Sequence, residues 1–153
     1  MQVESRLARL GLVLPSPPRA AGKYAPSMFA HGLLFISGQM PFSEGRLEFP
    51  GRVGIELSEA DGGAAARLAA LNVLAQIHAA LRGFDRLISL LRLDGYVSSS
   101  PGWTDQPRVL DSASQLFIDA LGEKGRHART AFAVPQLPLN ASIELVVTAA
   151  VVP

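Results

Sequence analysis

Apolar residues recur at two spacings along the chain, and each spacing predicts a different kind of element. After Ser58 the apolar positions are three or four residues apart, which places them on one face of a long helix. Ser58 and Asp61 have the spacing of a capping box at the start of this helix, and Gly83 marks its end. The residues of the apolar face are Ala64, Leu68, Leu71, Leu74, Ile77 and Leu81.

The same helical spacing predicts two further helices. One covers residues 109–121, and the other is a short amphipathic helix over residues 3–11. Three prolines soon after the short helix require an extended or turn-like backbone. Too little chain precedes them to form a separate domain. We therefore expect one domain over residues 1–153, with residues 1–19 as an N-terminal extension that carries the short helix.

Short apolar runs separated by turn residues predict strands. The run LLFIS over residues 33–37 is almost wholly apolar, which is typical of a strand buried on both faces. His31-Gly32 predicts a tight turn before it, and Asp94-Gly95 predicts a bulge in a later strand. The predicted strands cover residues 24–30, 33–37, 47–49, 87–98, 129–134 and 143–152.

The elements follow in the order β-β-(β)-α-β-α-β-β after the short N-terminal helix. This order predicts an α+β fold in which a single mixed β-sheet has two helices packed on one face. Two helices cannot cover both faces of such a sheet. Because 48% of the residues are hydrophobic and only 18% are charged, we expect identical subunits to cover the second face.

Composition restricts the classes of function. The net charge is +1, which gives no basic footprint for nucleic acid. Cysteine is absent, which excludes disulfides, thiolate catalysis and cysteine-ligated metals. No run approaches the length of apolar sequence that spans a membrane, and the N-terminus lacks the apolar core of a signal peptide. These observations predict a cytoplasmic protein with no membrane partner and no nucleic-acid partner.

Candidate chemistry rests on few residues. Walker loops, dinucleotide-binding glycine motifs, H-E-x-x-H and the serine-hydrolase elbow are absent. The three histidines lack metal-ligand spacing, so we predict no metal site and no cofactor; His127 could reach the same cleft as Arg129. Arg129 and Glu144 stand on the last two predicted strands. If those strands are neighbours, both charges can reach a common place, as a salt bridge or as a binding site.

An ordered set of short motifs over roughly residues 20–152 resembles the Rid family of reactive intermediate deaminases, also called the YjgF or endoribonuclease L-PSP family. The stretches GRVGIELS, DGYVSSSPGWTDQP and LDSASQLF resemble a longer branch, often given endoribonuclease L-PSP and chorismate-mutase-like names. No single motif is specific, but the ordered set is. The motifs are Gly22-Lys23-Tyr24, Ile36-Ser37-Gly38-Gln39-Met40-Pro41, Leu71-Asn72, Ala128-Arg129-Thr130, Leu137-Pro138 and Ile143-Glu144.

The resemblance implies a chorismate-mutase-like fold and a homotrimer with three clefts between subunits. In the best-understood branch, an arginine in the cleft binds the carboxylate of an enamine or imine acid, which water hydrolyses to a keto acid and ammonia. Arg129 falls on that arginine, and a guanidinium suits the role because it binds a carboxylate with two parallel hydrogen bonds. Glu144 falls on a glutamate that orients water or moves a proton. Tyr24 and Ser37 fall on positions that line the same cleft.

The sequence also departs from that branch. Asp111 stands where the branch has an asparagine, and its carboxylate could neutralise Arg129 or select a different ligand. Ala131 stands where a cysteine is frequent. The loop over residues 98–107 is longer, and its Trp103 could cover the cleft. The predicted site therefore has Arg129 and Glu144 as catalytic residues and Arg129, Tyr24, Ser37, Asp111 and Trp103 as substrate-binding residues.

Several functions stay open on this basis. The first is a cofactor-free hydrolytic deaminase of small enamine or imine acids, and the second is a non-catalytic module that binds a small carboxylate metabolite through Arg129. Endoribonuclease activity is disfavoured, because the charge is near neutral and neither paired catalytic histidines nor an aromatic-basic platform is evident. Chorismate mutase activity would require a second cation near Arg129, for which Arg126 and Lys23 are the candidates.

Overall fold

The structure, a computed structural model, describes residues 2–153 as a five-stranded mixed sheet, a separate two-stranded hairpin and three α-helices. The strand order in the large sheet is β1-β2-β7-β5-β6, in which only β5 and β6 are parallel neighbours. The predicted α+β class with a single mixed sheet is confirmed. The elements are α1 (Gln2–Arg9), β1 (Ser27–Ala30), β2 (Leu33–Gln39), β3 (Phe42–Ser43), β4 (Arg46–Leu47), α2 (Glu59–Leu81), β5 (Leu87–Ser98), α3 (Gln106–Leu121), β6 (Ala128–Val134) and β7 (Ile143–Val151).

The central helix of the core is α2. Its start is the predicted capping box, because Ser58 Oγ accepts from the Asp61 N–H at 3.1 Å and the Asp61 carboxylate accepts from the Ser58 N–H at 2.9 Å. Arg82 closes the last turn in a left-handed conformation, just before Gly83. By length and composition α2 could cross a membrane, but 61% of its apolar stretch is buried inside the protein. Burial of this kind is typical of a helix in the core of a globular domain.

The helical layer on one face of the sheet contains three helices rather than the predicted two. The short N-terminal helix α1 joins the layer because Val3 and Leu7 are buried in the common core and α1 contacts α3. At Gly95, α3 approaches β5 so closely that an added Cβ would overlap the side chain of Leu110. The predicted bulge at Asp94-Gly95 is wrong, since the register shifts in β5 lie between residues 87 and 92.

No helix among residues 2–153 covers the second face of the sheet. In β2, Leu34 and Ile36 are buried under the helices, whereas Phe35 is 43% exposed on the second face. The prediction that this strand is buried on both faces is therefore wrong for the single chain. Met28 and Phe132 are also exposed on this face. An apolar face of this kind is what contact with another subunit would cover, so the homotrimer stays a prediction.

Two strand predictions need correction. The first strand begins at Ser27, so Tyr24 lies in the irregular segment before it. The strand predicted at residues 47–49 is instead Arg46–Leu47, which pairs with Phe42–Ser43 in the separate hairpin rather than with the large sheet. Both differences bear on the site, because Tyr24 and the hairpin lie beside the end of β2.

Candidate functional site

The residues predicted to form one site fall into two clusters within a single chain. Glu144, Tyr24 and Ser37 line a small cavity of about 50 Å³, which we call the glutamate cavity. Arg129 and Asp111 belong to a hydrogen-bonded cluster on α3 and β6, which we call the arginine network.

The two clusters lie on opposite faces of the sheet. Glu144 pairs with Tyr96 of β5, and its neighbours in β7 are buried under the helices, so Glu144 points to the uncovered face. Arg129 pairs with Leu93, which is fully buried under the helices, so Arg129 points to the helical face. In addition, β5 separates β6 from β7, which places the two strands about 10 Å apart. The condition under which both charges could meet within one chain, that these two strands are neighbours, is therefore not met, and a shared site between subunits stays a prediction.

The glutamate cavity forms between the segment before β1, the end of β2 and Glu144 of β7. Ser37 Oγ donates to the Ala25 carbonyl at 2.6 Å, so its lone pairs stay available as acceptors. The Tyr24 hydroxyl oxygen accepts from the Ala21 N–H at 3.1 Å, which leaves its own proton available to a ligand. The cavity thus offers a carboxyl group, a hydroxyl donor and a hydroxyl acceptor.

Two buried amide side chains hold the walls of this cavity together. Gln76 Nε2 on α2 donates to the Pro18 carbonyl at 2.8 Å and to Gln39 Oε1 at 3.3 Å. Gln39 Nε2 in turn donates to the Ser37 carbonyl at 2.9 Å. These bonds link α2, β2 and the N-terminal segment, so the residues around Glu144 are fixed by the core.

The Glu144 carboxyl is half-buried and has no hydrogen bond or ion pair with any residue that the structure describes. Burial raises the pKa of this carboxyl above its ordinary value, because a poorly solvated site disfavours the charged form. A carboxyl with a raised pKa, placed beside a cavity that water can enter, is suited to proton transfer nearer neutral pH than an ordinary glutamate.

Gly38 makes the room that this carboxyl occupies. A Cβ at position 38 would overlap Glu144 Oε1 and lie 2.9 Å from Glu144 Cδ. The backbone of Gly38 is outside the left-handed region, so alanine is allowed there on conformational grounds. The register shift in β2 between Ile36 and Gln39 turns the strand at this point.

A Gly38→Ala variant is therefore expected to fold while its Glu144 carboxylate moves away from position 38. Since the displaced group is the end of a flexible side chain, it should turn toward solvent, and the Glu144 pKa should fall toward its ordinary value. Carbon NMR titration of the glutamate carboxyl groups would measure this. An unchanged Glu144 pKa in a folded variant would contradict the packing described here.

The arginine network is built on one face of α3. Arg129 Nη1 donates to Asp111 Oδ1 at 2.9 Å and to Ser114 Oγ at 3.1 Å, and Nη2 donates to the Pro107 carbonyl at 3.2 Å. The three acceptors are spaced four and three residues apart, which aligns them along the helix. The Arg129 side chain is 22% exposed and that of Asp111 is 69% exposed. The ion pair is thus at the surface, and it uses only part of the donor capacity of the guanidinium.

His127 belongs to the same network, as its sequence position suggested. The Gly125 carbonyl can only accept, so His127 Nδ1 carries the proton of their 2.7 Å hydrogen bond. Nε2 then accepts from Ser114 Oγ at 2.9 Å, and Ser114 accepts from Arg129. Burial lowers the pKa of His127, and the positive charge of Arg129 lowers it further, so the ring is neutral at pH 7. This chain of bonds orients the guanidinium.

Other candidate residues lie outside both clusters. Trp103 is half-buried against the core of its own chain, and its carbonyl accepts from Gln106 Nε2 at 2.6 Å; it does not line the glutamate cavity. Arg126 forms an exposed ion pair with Glu123 at 3.4 Å, so it does not add a second cation to the network. Across residues 2–153, no three His, Asp or Glu side chains come together as metal ligands.

Two structural roles were not predicted from the sequence alone. Ser114 was not a candidate, although residues 107, 111 and 114 have the spacing of one helix face. Gly38 was part of a motif but had no assigned role, because its function depends on a side chain that is distant in sequence.

The chain matches a known family. The family model described as "YjgF/chorismate mutase-like, putative endoribonuclease" matches residues 4–151. The chain belongs to this family, and the resemblance to the Rid proteins is confirmed; solved structures named as Rid and RidA proteins share the fold.

Similar proteins cover nearly the whole chain. Protein TCP17 of Trypanosoma cruzi is 39% identical over 145 residues, which are 94% of this chain and 91% of that protein. The crystal structure of Atu1372 from Agrobacterium tumefaciens, described as having unknown function, is 38% identical, with a TM-score of 0.93 over 98% of this chain and 92% of that one. A "putative endoribonuclease" from Shewanella oneidensis is 35% identical, with a TM-score of 0.95 over 99% and 100% of the two chains.

Proposed function

We propose that this protein hydrolyses enamine or imine acids to keto acids and ammonia. The observation that carries the proposal is the half-buried, unpaired Glu144 carboxyl, whose pKa is raised by burial, in a cavity beside the hydroxyl groups of Tyr24 and Ser37. Membership of the Rid/YjgF family supports deamination or small-molecule binding as the class of function. We place the protein in the cytoplasm, with which the absence of cysteine is compatible.

The chemistry requires water to add to the carbon of a C=N bond; an enamine first takes a proton at carbon and becomes the imine. The Glu144 carboxylate takes a proton from water as the water oxygen bonds to that carbon. Glu144 then returns this proton to the nitrogen, and the C–N bond breaks. The hydroxyl proton leaves with ammonia as the C=O bond forms. Tyr24 O–H can donate to the substrate and Ser37 Oγ can accept from the water.

We assign the substrate carboxylate to Arg129. Given the geometry of the single chain, this arginine has to come from a second copy. Within one chain Arg129 lies on the other face of the sheet, so a small substrate cannot contact both Arg129 and Glu144. We propose a homotrimer in which edge strand β6 of one copy faces the glutamate cavity of the next. The incoming carboxylate then competes with Asp111 for the guanidinium.

The direct test couples the protein to an amino-acid oxidase that generates the imino acid in solution. We expect the purified protein to accelerate the release of ammonia and the formation of the keto acid, with heat-denatured protein as the control. If imino acids made from amino acids with small, branched, long and aromatic side chains are all hydrolysed at the uncatalysed rate, the proposal is wrong.

One observation favours a second candidate, a non-catalytic module that binds a small carboxylate metabolite. Arg129 pairs with a carboxylate of its own chain, that of Asp111, at 2.9 Å, which supports binding of a carboxylate ligand without chemistry. For such a module, a keto acid should raise the melting temperature of the wild type but not of Arg129→Ala, while hydrolysis of imino acids stays at the uncatalysed rate.

The label of endoribonuclease carried by the family and by a relative is not proposed for this chain. A net charge of +1 gives little attraction for a phosphate backbone. His127 bonds Ser114 and Gly125 in the arginine network, so it serves a neutral hydrogen-bonded role rather than that of one member of a catalytic histidine pair.

A further inference from the structure

A second and much larger hollow lies next to the glutamate cavity. Its volume is about 860 Å³, and its walls are the N-terminal segment, α2 and the β3–β4 hairpin. We call it the proline groove, after the prolines at positions 15, 17 and 18 that form one side. The apolar side chains along it are those of Val13, Leu68, Leu71 and Phe42.

The groove is a preformed feature of the fold. Proline fixes its own backbone φ, and the Pro18 carbonyl accepts from Gln76 Nε2 at 2.8 Å, which ties the segment to α2. On the opposite side, Asn72 Nδ2 donates to the carbonyls of Met40 and Phe42 at 3.0 Å and 2.9 Å. Both walls are therefore attached to the same central helix.

The groove and the glutamate cavity are adjacent and share part of their walls. Pro18, Arg19, Ala21 and Phe42 line both. Arg19 is the one basic residue along either lining, and its guanidinium has no hydrogen bond or ion pair with any described residue. Arg19 thus places a positive charge where the two hollows meet, and the groove itself is mainly apolar, with Glu44 as the one acidic residue among the described residues that line it.

We propose that the proline groove binds the apolar tail of an amphipathic acid whose reacting carbon lies at Glu144. This inference rests on the proposed function and names its substrate class, an enamine or imine acid with a long aliphatic or aromatic side chain. The volume of the groove falls within the range of sites that enclose drug-sized ligands and far exceeds the need of a three-carbon acid. The charge of Arg19 adds attraction for the acidic end, which Arg129 of the next copy binds, and the tail is left in the apolar part of the groove.

The test measures binding of stable 2-oxo acids, the products of the proposed reaction, by calorimetry. Pyruvate, 2-oxohexanoate and 2-oxooctanoate form a series of increasing tail length, and phenylpyruvate adds a ring. Each buried methylene is expected to tighten binding about fourfold, so 2-oxooctanoate should bind at least about 100-fold more tightly than pyruvate.

Two variants locate the tail. Leu68→Glu puts a charge in the groove, and Ser16→Glu does the same from an exposed residue on the N-terminal segment, where folding is not at risk. Both variants should remove most of the gain in affinity that 2-oxooctanoate shows over pyruvate, while the affinity for pyruvate itself should not change. The matched control is Ile118→Glu, a partly exposed apolar residue of α3 outside the groove, which should keep the gain.

The outcomes separate this inference from the proposed function. If affinity rises with tail length and this dependence is lost in Ser16→Glu, the result supports binding of the tail in the groove, even if imino acids are not hydrolysed. Equal affinity for pyruvate and 2-oxooctanoate, no binding of any 2-oxo acid, or a gain that survives both groove variants would overturn it, even if small imino acids are hydrolysed. Loss of self-association rather than ligand affinity in Leu68→Glu would show that the groove is a subunit contact, which would overturn it as well.

Discussion

A Glu144→Gln variant is expected to lose roughly 100-fold to 10,000-fold in kcat for imino-acid hydrolysis, the usual range for removal of a general base. Glutamine fills the same space beside Gly38 but cannot take a proton from water. KM should change little, because the carboxylate of the substrate is bound elsewhere. The oxidase-coupled formation of keto acid measures both constants. Glu123→Gln, at a residue that is 87% exposed, is the control and should match the wild type.

The pH dependence of kcat for the wild type should reflect the titration of Glu144. Deprotonated Glu144 is the active form, and burial raises its pKa. The kcat of the wild type should therefore decline on the acid side at a higher pH than an ordinary glutamate would produce. If kcat instead declines at the pH expected for an ordinary glutamate, the role of the buried Glu144 carboxyl as general base would be contradicted.

The Glu144→Gln substitution is expected to lower activity without lowering stability. Because the pKa of Glu144 is higher in the folded chain than in the unfolded chain, its stabilising contribution is complete below the unfolded pKa and is lost as the pH rises through the folded pKa. Above the folded pKa the wild type has lost that contribution, whereas Glu144→Gln carries no charge at this position. Urea unfolding at pH 7 should show the variant to be as stable as the wild type or more stable. A loss above about 1 kcal/mol would assign Glu144 a structural role.

The Arg129→Ala variant is expected to lose roughly 10-fold to 100-fold in kcat/KM, from the hydrogen bonds that a charged pair with the substrate carboxylate provides. A lower kcat/KM could also have a purely structural cause, because Arg129 joins β6 to α3 through Asp111 and Ser114. A control is therefore needed that separates the effect of losing the Arg129–Asp111 ion pair from the effect of losing the contact between Arg129 and the substrate carboxylate.

Asp111→Asn is the matched control, since it breaks the same ion pair and keeps the guanidinium. Without the competing carboxylate, KM for the imino acid should fall, by at most about fivefold because exposed ion pairs are weak. The two variants therefore change substrate affinity in opposite directions if Arg129 binds the substrate. A decrease in kcat/KM of similar size in both variants would show that the ion pair itself is what activity needs.

The sequence predicted much of the fold because the deciding signals are local. Ser58 and Asp61 are three residues apart, and their side chains and backbones complete the capping box without help from the rest of the chain. The His31-Gly32 turn is equally local, since both residues have positive φ as a tight hairpin requires. The family motifs then selected one arrangement of these elements.

The placement of the two charges could not be read from the sequence, because it depends on the order of strands. The parallel pairing of β5 with β6 inserts β5 between the strands that carry Arg129 and Glu144. Glu144 alternates with the buried Ile143 and Leu145, and that pattern could have predicted its face. The residues around Arg129 are Ala128 and Thr130, which are too small and too similar in polarity to show which face is buried.

The contact between Asp111 and Arg129 was anticipated from the sequence, but the other partners of Arg129 were not. The aspartate was recognised as a departure from the deaminase pattern, and the structure shows it as one of three acceptors along α3. The link through Ser114 to His127 depends on the packing of α3 against β6, a contact between distant parts of the sequence that no local pattern encodes.

The most direct test of the central claim mixes two variants of strongly reduced activity. If the site combines Arg129 of one copy with Glu144 of another, oligomers assembled from Arg129→Ala and Glu144→Gln chains contain some clefts in which both residues are intact, about a quarter of them in an equal mixture around a closed ring. Oligomers that carry both variants, purified through a different affinity tag on each, should regain about a third of wild-type hydrolysis, because each mixed trimer has one intact cleft of three. Verified mixed oligomers with no more activity than either variant alone would contradict the claim.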